Sequence, residues 1–212
     1  MKKEERKLTP AEQKRREQFQ TICEEMEQNG YEKQDLTIGV LQANIIALVI
    51  TLPFVVFFVW LYLIVNPQGS FVMINPSYLW LFVGMLFLLI IAHEGIHGLT
   101  WAIFAKKHLH SISFGVIWKY LTPYCTCDEP LRKGQYIIGG AMPTLILGFG
   151  MAVIAIFATI PSLWCLSLLM ILSGGGDFFI ILKIALHKSA GKDVVYYDHP
   201  YECGAVAFVR DN

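Results

Sequence analysis

The sequence predicts an all-α membrane protein of four transmembrane helices, with a small β-hairpin added on the cytoplasmic side. Three observations carry that prediction. The first is composition: of 212 residues, 55% are hydrophobic and 16% charged, whereas soluble domains average roughly a quarter charged. The second is length. Four apolar stretches, at about 41–65, 78–105, 136–160 and 162–186, each exceed the roughly 20 helical residues that cross a hydrocarbon core. The third is the placement of basic residues. The segment before the first stretch holds eight Lys and Arg, the connection 66–77 none, the connection 106–135 five, and the tail from Lys183 four. With almost no loop between the last two stretches, this is the positive-inside alternation of a multi-pass plasma-membrane chain with both termini cytoplasmic.

The elements follow in order. Residues 1–40 read as a cytoplasmic amphipathic helix and linker, which hold half of the chain's charged residues. Thr9 suits the N-cap, Pro10 the first helical position, and Glu12 completes a capping box. Gly30 can close the helix in a left-handed conformation. Phe19, Ile22, Cys23 and Met26 form an i, i+3, i+4, i+7 stripe that could rest on the membrane surface or on the rest of the protein. Residues 41–186 form the four-helix domain. Pro53 and Pro143 are tolerable inside its helices, because neighbours can satisfy the carbonyls that proline leaves free. Within the 106–135 connection, Ile112, Phe114, Val116 and Trp118 alternate with small residues at the strand period, and Thr122-Pro123 can turn the chain towards Tyr124–Thr126. The hairpin so formed could take up an extended peptide as an added strand, or lie as an amphipathic segment at headgroup level. Residues 187–212 read as a cytoplasmic tail. Net charge is zero, so no basic surface asks for a nucleic-acid partner.

The chemistry lies in the second stretch, at His93-Glu94-Gly95-Ile96-His97. Two histidines four residues apart share one helical face, about 6 Å apart along the axis, so both imidazoles can reach one metal ion. Glu94 sits one position round the helix, where it can deprotonate a zinc-activated water instead of ligating. Ionisable residues this deep in an apolar helix are costly, and they normally mark function.

A catalytic zinc ion needs three protein ligands and an open position. In the other apolar stretches the acidic candidate is Asp177, after Gly174, Gly175 and Gly176. His93 lies fifteen residues from Tyr78 and Asp177 fifteen from Ser162. Both therefore sit about 22 Å from the outer boundary, at one depth in a core about 30 Å thick. Two carboxylates, two neutral imidazoles and Zn²⁺ also sum to zero charge. Asp177 could instead orient a histidine from behind. The glycines weaken the helix and admit close packing.

On these residues the chain resembles the bacterial membrane proteins described as putative zincin peptidases, from about Leu88 to Phe208. The matching stretches are His93–His97, Tyr124-Cys125-Thr126-Cys127 with Glu129-Pro130-Leu131, Ala141-Met142-Pro143 with Gly148, Gly175-Gly176-Asp177, and Asp198-His199-Pro200. The order of features is also similar to the site-2 class of intramembrane metalloproteases. That resemblance implies zinc ligation by His93, His97 and Asp177, with Glu94 as catalytic base. Two features depart from the class: Phe178 follows the aspartate where glycine is usual, and no Asn-bearing motif surrounds Pro143.

The reading that follows is a membrane-embedded zinc metallopeptidase acting on a membrane-associated peptide or protein. A small ion or proton carrier, or a scaffold holding a structural metal, are the alternatives. His108, His110, Cys125 and Cys127 offer a second zinc site, although C-x-C departs from the usual spacing. Asp198 and His199 could fold back towards the site or form a polar turn before Pro200, and His187 reads as a surface residue. Disulfides are not expected on a reducing cytoplasmic side.

Overall fold

The computed structural model describes residues 10–67, 76–117, 122–188, 190–200 and 202–211. Thr9 and Trp118, expected as a helix cap and a strand residue, lie outside them. The chain is mostly helical. Helix α1 (Pro10–Gln28) leads into strand β1 (Glu32–Asp35) and helices α2 (Val40–Val65) and α3 (Leu79–Phe104). Strands β2 (Ile112–Ile117), β3 (Thr122–Cys127) and β4 (Leu131–Arg132) come next. Helix α4 (Lys133–Pro143) widens into a π-helical segment, Thr144–Gly150, and resumes as α5 (Met151–Phe157). Helices α6 (Pro161–Ser173) and α7 (Gly175–Leu186) and strands β5 (Lys192–Asp198) and β6 (Ala205–Asp211) complete the chain.

Three helical stretches among the described residues, Leu41–Val65, Leu79–Phe104 and Lys133–Phe157, are long and apolar enough to cross a membrane. A fourth, α6 with α7, qualifies as one span bent by 43°. The bend is where the reading of an unbroken fourth helix fails. Gly174 packs so tightly on the start of the π-helical segment that a Cβ there would stand 1.9 Å from Thr144 Oγ1, and one at Gly175 would stand 3.0 Å from the Ala47 carbonyl. Only a glycine run permits two such approaches, and the same run has low helix propensity.

Side chains on these helices point outward. Trp80 is 84% exposed, Leu41 74% and Ile103 71%, far more apolar surface than a protein leaves to water. Inside, α3 packs on α4, α4 on α7, and α2 on α6 and α7. Asn66 ties α2 to the α5–α6 turn, its amide donating to the Ile156 carbonyl and its oxygen accepting from Thr159.

The all-α expectation needs correction. Besides the hairpin of β2 and β3, paired antiparallel from Ile112–Cys127 to Ile117–Thr122, the termini build a four-stranded antiparallel sheet in the order β1-β6-β5-β4. Its strands were unreadable for a physical reason: the sheet is covered on both faces, so β6 is a continuous apolar run without alternation. Tyr196, Ala207 and Val209 face the helices, against Trp101, Tyr136 and Ile184. Tyr197, Val206 and Phe208 face α1, against Phe19 with Ile22, Cys23 and Met26. The helix stripe therefore rests on this sheet. Gly30, at φ +80°, closes α1, and Tyr31 N–H bonds the Met26 carbonyl at 3.0 Å.

His187 also departs from the surface reading. It is half-buried against the sheet, 3.0 Å from Tyr196 Oη through Nδ1 and from Gln34 Oε1 through Nε2.

The hairpin docks on α3 at Gly98, where a Cβ would lie 2.7 Å from Phe114 and 2.9 Å from Ile112. Gly98→Val should force the two elements apart at a cost of about 1–3 kcal/mol. Thermal unfolding in detergent measures this, and an unchanged midpoint would mean that the hairpin is not seated on the helix.

Candidate metal centre

Helical periodicity puts His93 and His97 on one face of α3, with ring centroids 4.9 Å apart and planes at 77°. Both are buried, at 6% and 4% exposure. The bend at Gly174 makes Asp177 a first-turn residue of α7, where free N–H groups and the helix dipole favour a carboxylate. The three side chains meet on one oxygen. Asp177 Oδ2 is 3.1 Å from His93 Nε2 and 3.4 Å from His97 Nε2, and one potential ligand atom from each residue falls within 4.8 Å of the others.

Whether this trio suits a metal ion turns on where the imidazole hydrogens sit. His97 Nδ1 is 2.9 Å from the Gly139 carbonyl. A carbonyl oxygen only accepts, so Nδ1 carries the hydrogen. In a neutral ring, Nε2 then turns a lone pair towards a carboxylate oxygen. Two lone pairs facing each other in a buried site repel unless a cation lies between them, either a proton on the ring or a metal ion. The donor set, two imidazoles and a carboxylate, is one that zinc accepts. His93 Nδ1 is buried without a hydrogen-bond partner. The residues present therefore fit a divalent cation.

Glu94 is half-buried beside the two histidines. The hairpin strand β3 packs on the same helix, with Cys125 Sγ 3.2 Å from where a Cβ at Gly98 would stand.

A second grouping, Asp35, His199 and Glu202, also has ligand atoms within 4.8 Å. It fits a cation poorly. His199 Nδ1 accepts the Glu202 N–H at 3.0 Å, so the neutral ring keeps its hydrogen on Nε2 and has no lone pair to spare. The candidate site of His108, His110, Cys125 and Cys127 does not form among the described residues. His108 bonds the Ala102 carbonyl, and both cysteines turn into the core. Burial pushes the Cys127 thiol up to about 12 and raises Cys125 as well, so both stay protonated and make poor ligands.

Asp198 does not reach the trio. It accepts a hydrogen bond from the Tyr136 hydroxyl, linking β5 to the first turn of α4. Burial pushes its carboxyl up to about 6. Gly139 has no role in the sequence reading, because it contributes a main-chain oxygen. Its one trace in the sequence is the proline four residues later.

A family model described as putative zincin peptidase matches residues 86–191, a span that holds the whole trio and Glu94. No curated protein and no solved structure matches the chain.

Two outcomes follow. Asp177→Asn should abolish stoichiometric zinc in the purified protein while Glu202→Gln leaves it intact, by elemental analysis; equal zinc in both variants would contradict this assignment. The second concerns pH. With Asp198 at about 6 when folded and 3.8 as its ordinary value, the folded state holds the proton more tightly. This group's contribution to stability is therefore lost as pH rises from about 4 to about 6, by on the order of 2 kcal/mol. Asp198→Asn should remove that part of the decline in thermal unfolding of the metal-free protein, and parallel profiles for the two proteins would contradict it.

Proposed function

The chain belongs to the putative zincin peptidase family, and from that premise we propose that it is a membrane-embedded zinc metallopeptidase cleaving a membrane-associated peptide or protein. His93, His97 and Asp177 are its ligands and Glu94 its general base. The observation that carries the reading is the approach of two buried Nε2 atoms to one carboxylate oxygen, with Glu94 on the adjoining position of the same helix.

Bound zinc would lower the pKa of a water towards about 7 and polarise the scissile carbonyl. The chain's own residues do the rest. The Glu94 carboxylate takes a proton from the attacking water as its oxygen bonds the carbonyl carbon, then delivers that proton to the amine nitrogen as the C–N bond breaks. A helical substrate hides its carbonyls, so the segment cut has to be extended. Strand β3 is an edge of a two-stranded sheet and packs on α3 at Gly98, one turn from Glu94, and this favours an extended segment laid along it as an added strand.

The membrane setting is supported by the outward apolar helices and by the Lys and Arg alternation. Pairing of β1 with β6 requires both terminal segments on one side, which an even number of crossings provides. That favours counting the bent α6–α7 pair as one span and placing the sheet in the cytoplasm, where water can reach the site.

Glu94→Gln is the decisive variant. Zinc and fold should persist while turnover drops by about 10²–10⁴-fold. Mapping new N-termini in membranes that carry wild type or the variant reads the loss. Identical termini from both would remove the peptidase reading and leave an ion carrier or a scaffold.

A further inference from the structure

Helix α4 carries a defect at the level of the histidines. Residue 143 has helical dihedrals, φ −60° and ψ −45°, so its nitrogen stands where a helical residue would donate to the carbonyl four positions back. Pro143 has no N–H, which leaves the Gly139 carbonyl without that partner. Into this opening comes His97 Nδ1, at 2.9 Å. The carbonyl is buried, and without the imidazole it would be an unsatisfied acceptor.

A second constraint acts on the same ring. Trp101, one turn further along α3, stacks on His97 with centroids 5.0 Å apart and planes at 15°. Its indole N–H donates to the Tyr136 carbonyl at 3.3 Å. The indole also crosses α4 at Gly139, where a Cβ would stand 2.0 Å from Trp101 Cδ1 and Nε1. Thus α4 holds the edge of the His97 ring through one carbonyl and the stacked indole through another. Glycine at 139 is what lets the two helices come this close.

We infer that Pro143 and Trp101 are positioning residues for His97: the proline frees the Gly139 carbonyl to hold the ring's Nδ1–H, and the indole fixes the ring plane, so that Nε2 is turned onto the metal centre. This rests on the zinc reading above. Hydrogen bonding at the remote nitrogen sets the tautomer of a ligating histidine and raises its basicity, and losing such a partner commonly weakens metal binding by about 10–100-fold.

The test uses the full chain in detergent with Co²⁺ as the probe, comparing wild type, Pro143→Ala, Trp101→Phe and Glu94→Gln by visible absorption and by chelator competition. Alanine at 143 restores an N–H that competes for the Gly139 carbonyl. Phenylalanine at 101 keeps a stacking ring but loses the indole donor. Both variants should bind Co²⁺ at least about ten-fold more weakly with shifted ligand-field bands, while Glu94→Gln keeps the wild-type affinity. Unchanged affinity and bands in both positioning variants would overturn the inference and leave the zinc reading standing. A wild-type protein that takes up no stoichiometric Co²⁺ would overturn both. Should either variant fail to fold, ¹⁵N spectra of histidine-labelled, metal-free wild type at a pH where the ring is neutral decide the matter: the hydrogen of His97 on Nδ1, held by the Gly139 carbonyl, supports the inference, and on Nε2, facing Asp177, overturns it.

Discussion

Two imidazole nitrogens directed at one carboxylate oxygen, deep among apolar helices, set the constraint that organises this protein. Left to themselves these groups are an unfavourable arrangement: burial penalises the charge on Asp177, and the neutral His97 offers a lone pair to another lone pair. A cation between them resolves both problems. Much of the surrounding structure can be understood as bringing α3 and α7 to the separation at which a single ion can do so.

Helix α4 is the element that makes the approach possible. It packs against α3 on one side and α7 on the other, and its small residues face both. Gly139 admits the Trp101 ring and Gly140 lies against Ile181, and just past its end Thr144, the first residue of the π-helical segment, fills the space that Gly174 leaves. Large side chains at any of these places would spread the helices by more than a metal site tolerates. The bend at Gly174 serves the same end, since it converts Asp177 from a mid-helix residue into a first-turn residue whose charge the helix dipole favours.

The terminal sheet gives the helices a base at the end where Trp101, Tyr136 and Ile184 lie. Its inner face joins Trp101, Tyr136 and Ile184 in one cluster with Cys125 and Cys127, so the hairpin beside Glu94 and the strands of the tail share a core. Through Tyr136 the sheet also fixes the first turn of α4 by its bond to Asp198. The part of the chain outside the apolar helices is thereby tied mechanically to the helix that packs beside His97.

The features that depend on local periodicity were legible in the sequence. Apolar runs of sufficient length and the spacing of His93 and His97 on one face follow from helical geometry alone, and a common depth for His93 and Asp177 follows from counting residues. The stripe through Phe19 and the strand alternation from Ile112 to Val116 were legible for the same reason, because each element presents one patterned face. The sheet was hidden because strands covered on both sides lose the alternation that identifies them, as β6 does from Ala205 to Val209. The acceptor at Gly139 was hidden because a main-chain oxygen leaves no mark in residue type, and the inertness of Cys125 and Cys127 could be decided only by which way the hairpin faced. Sequence determined which chemical groups exist and at what height along each helix; tertiary packing decided which of them touch, because contact between helices depends on rotation and close approach that no single segment encodes.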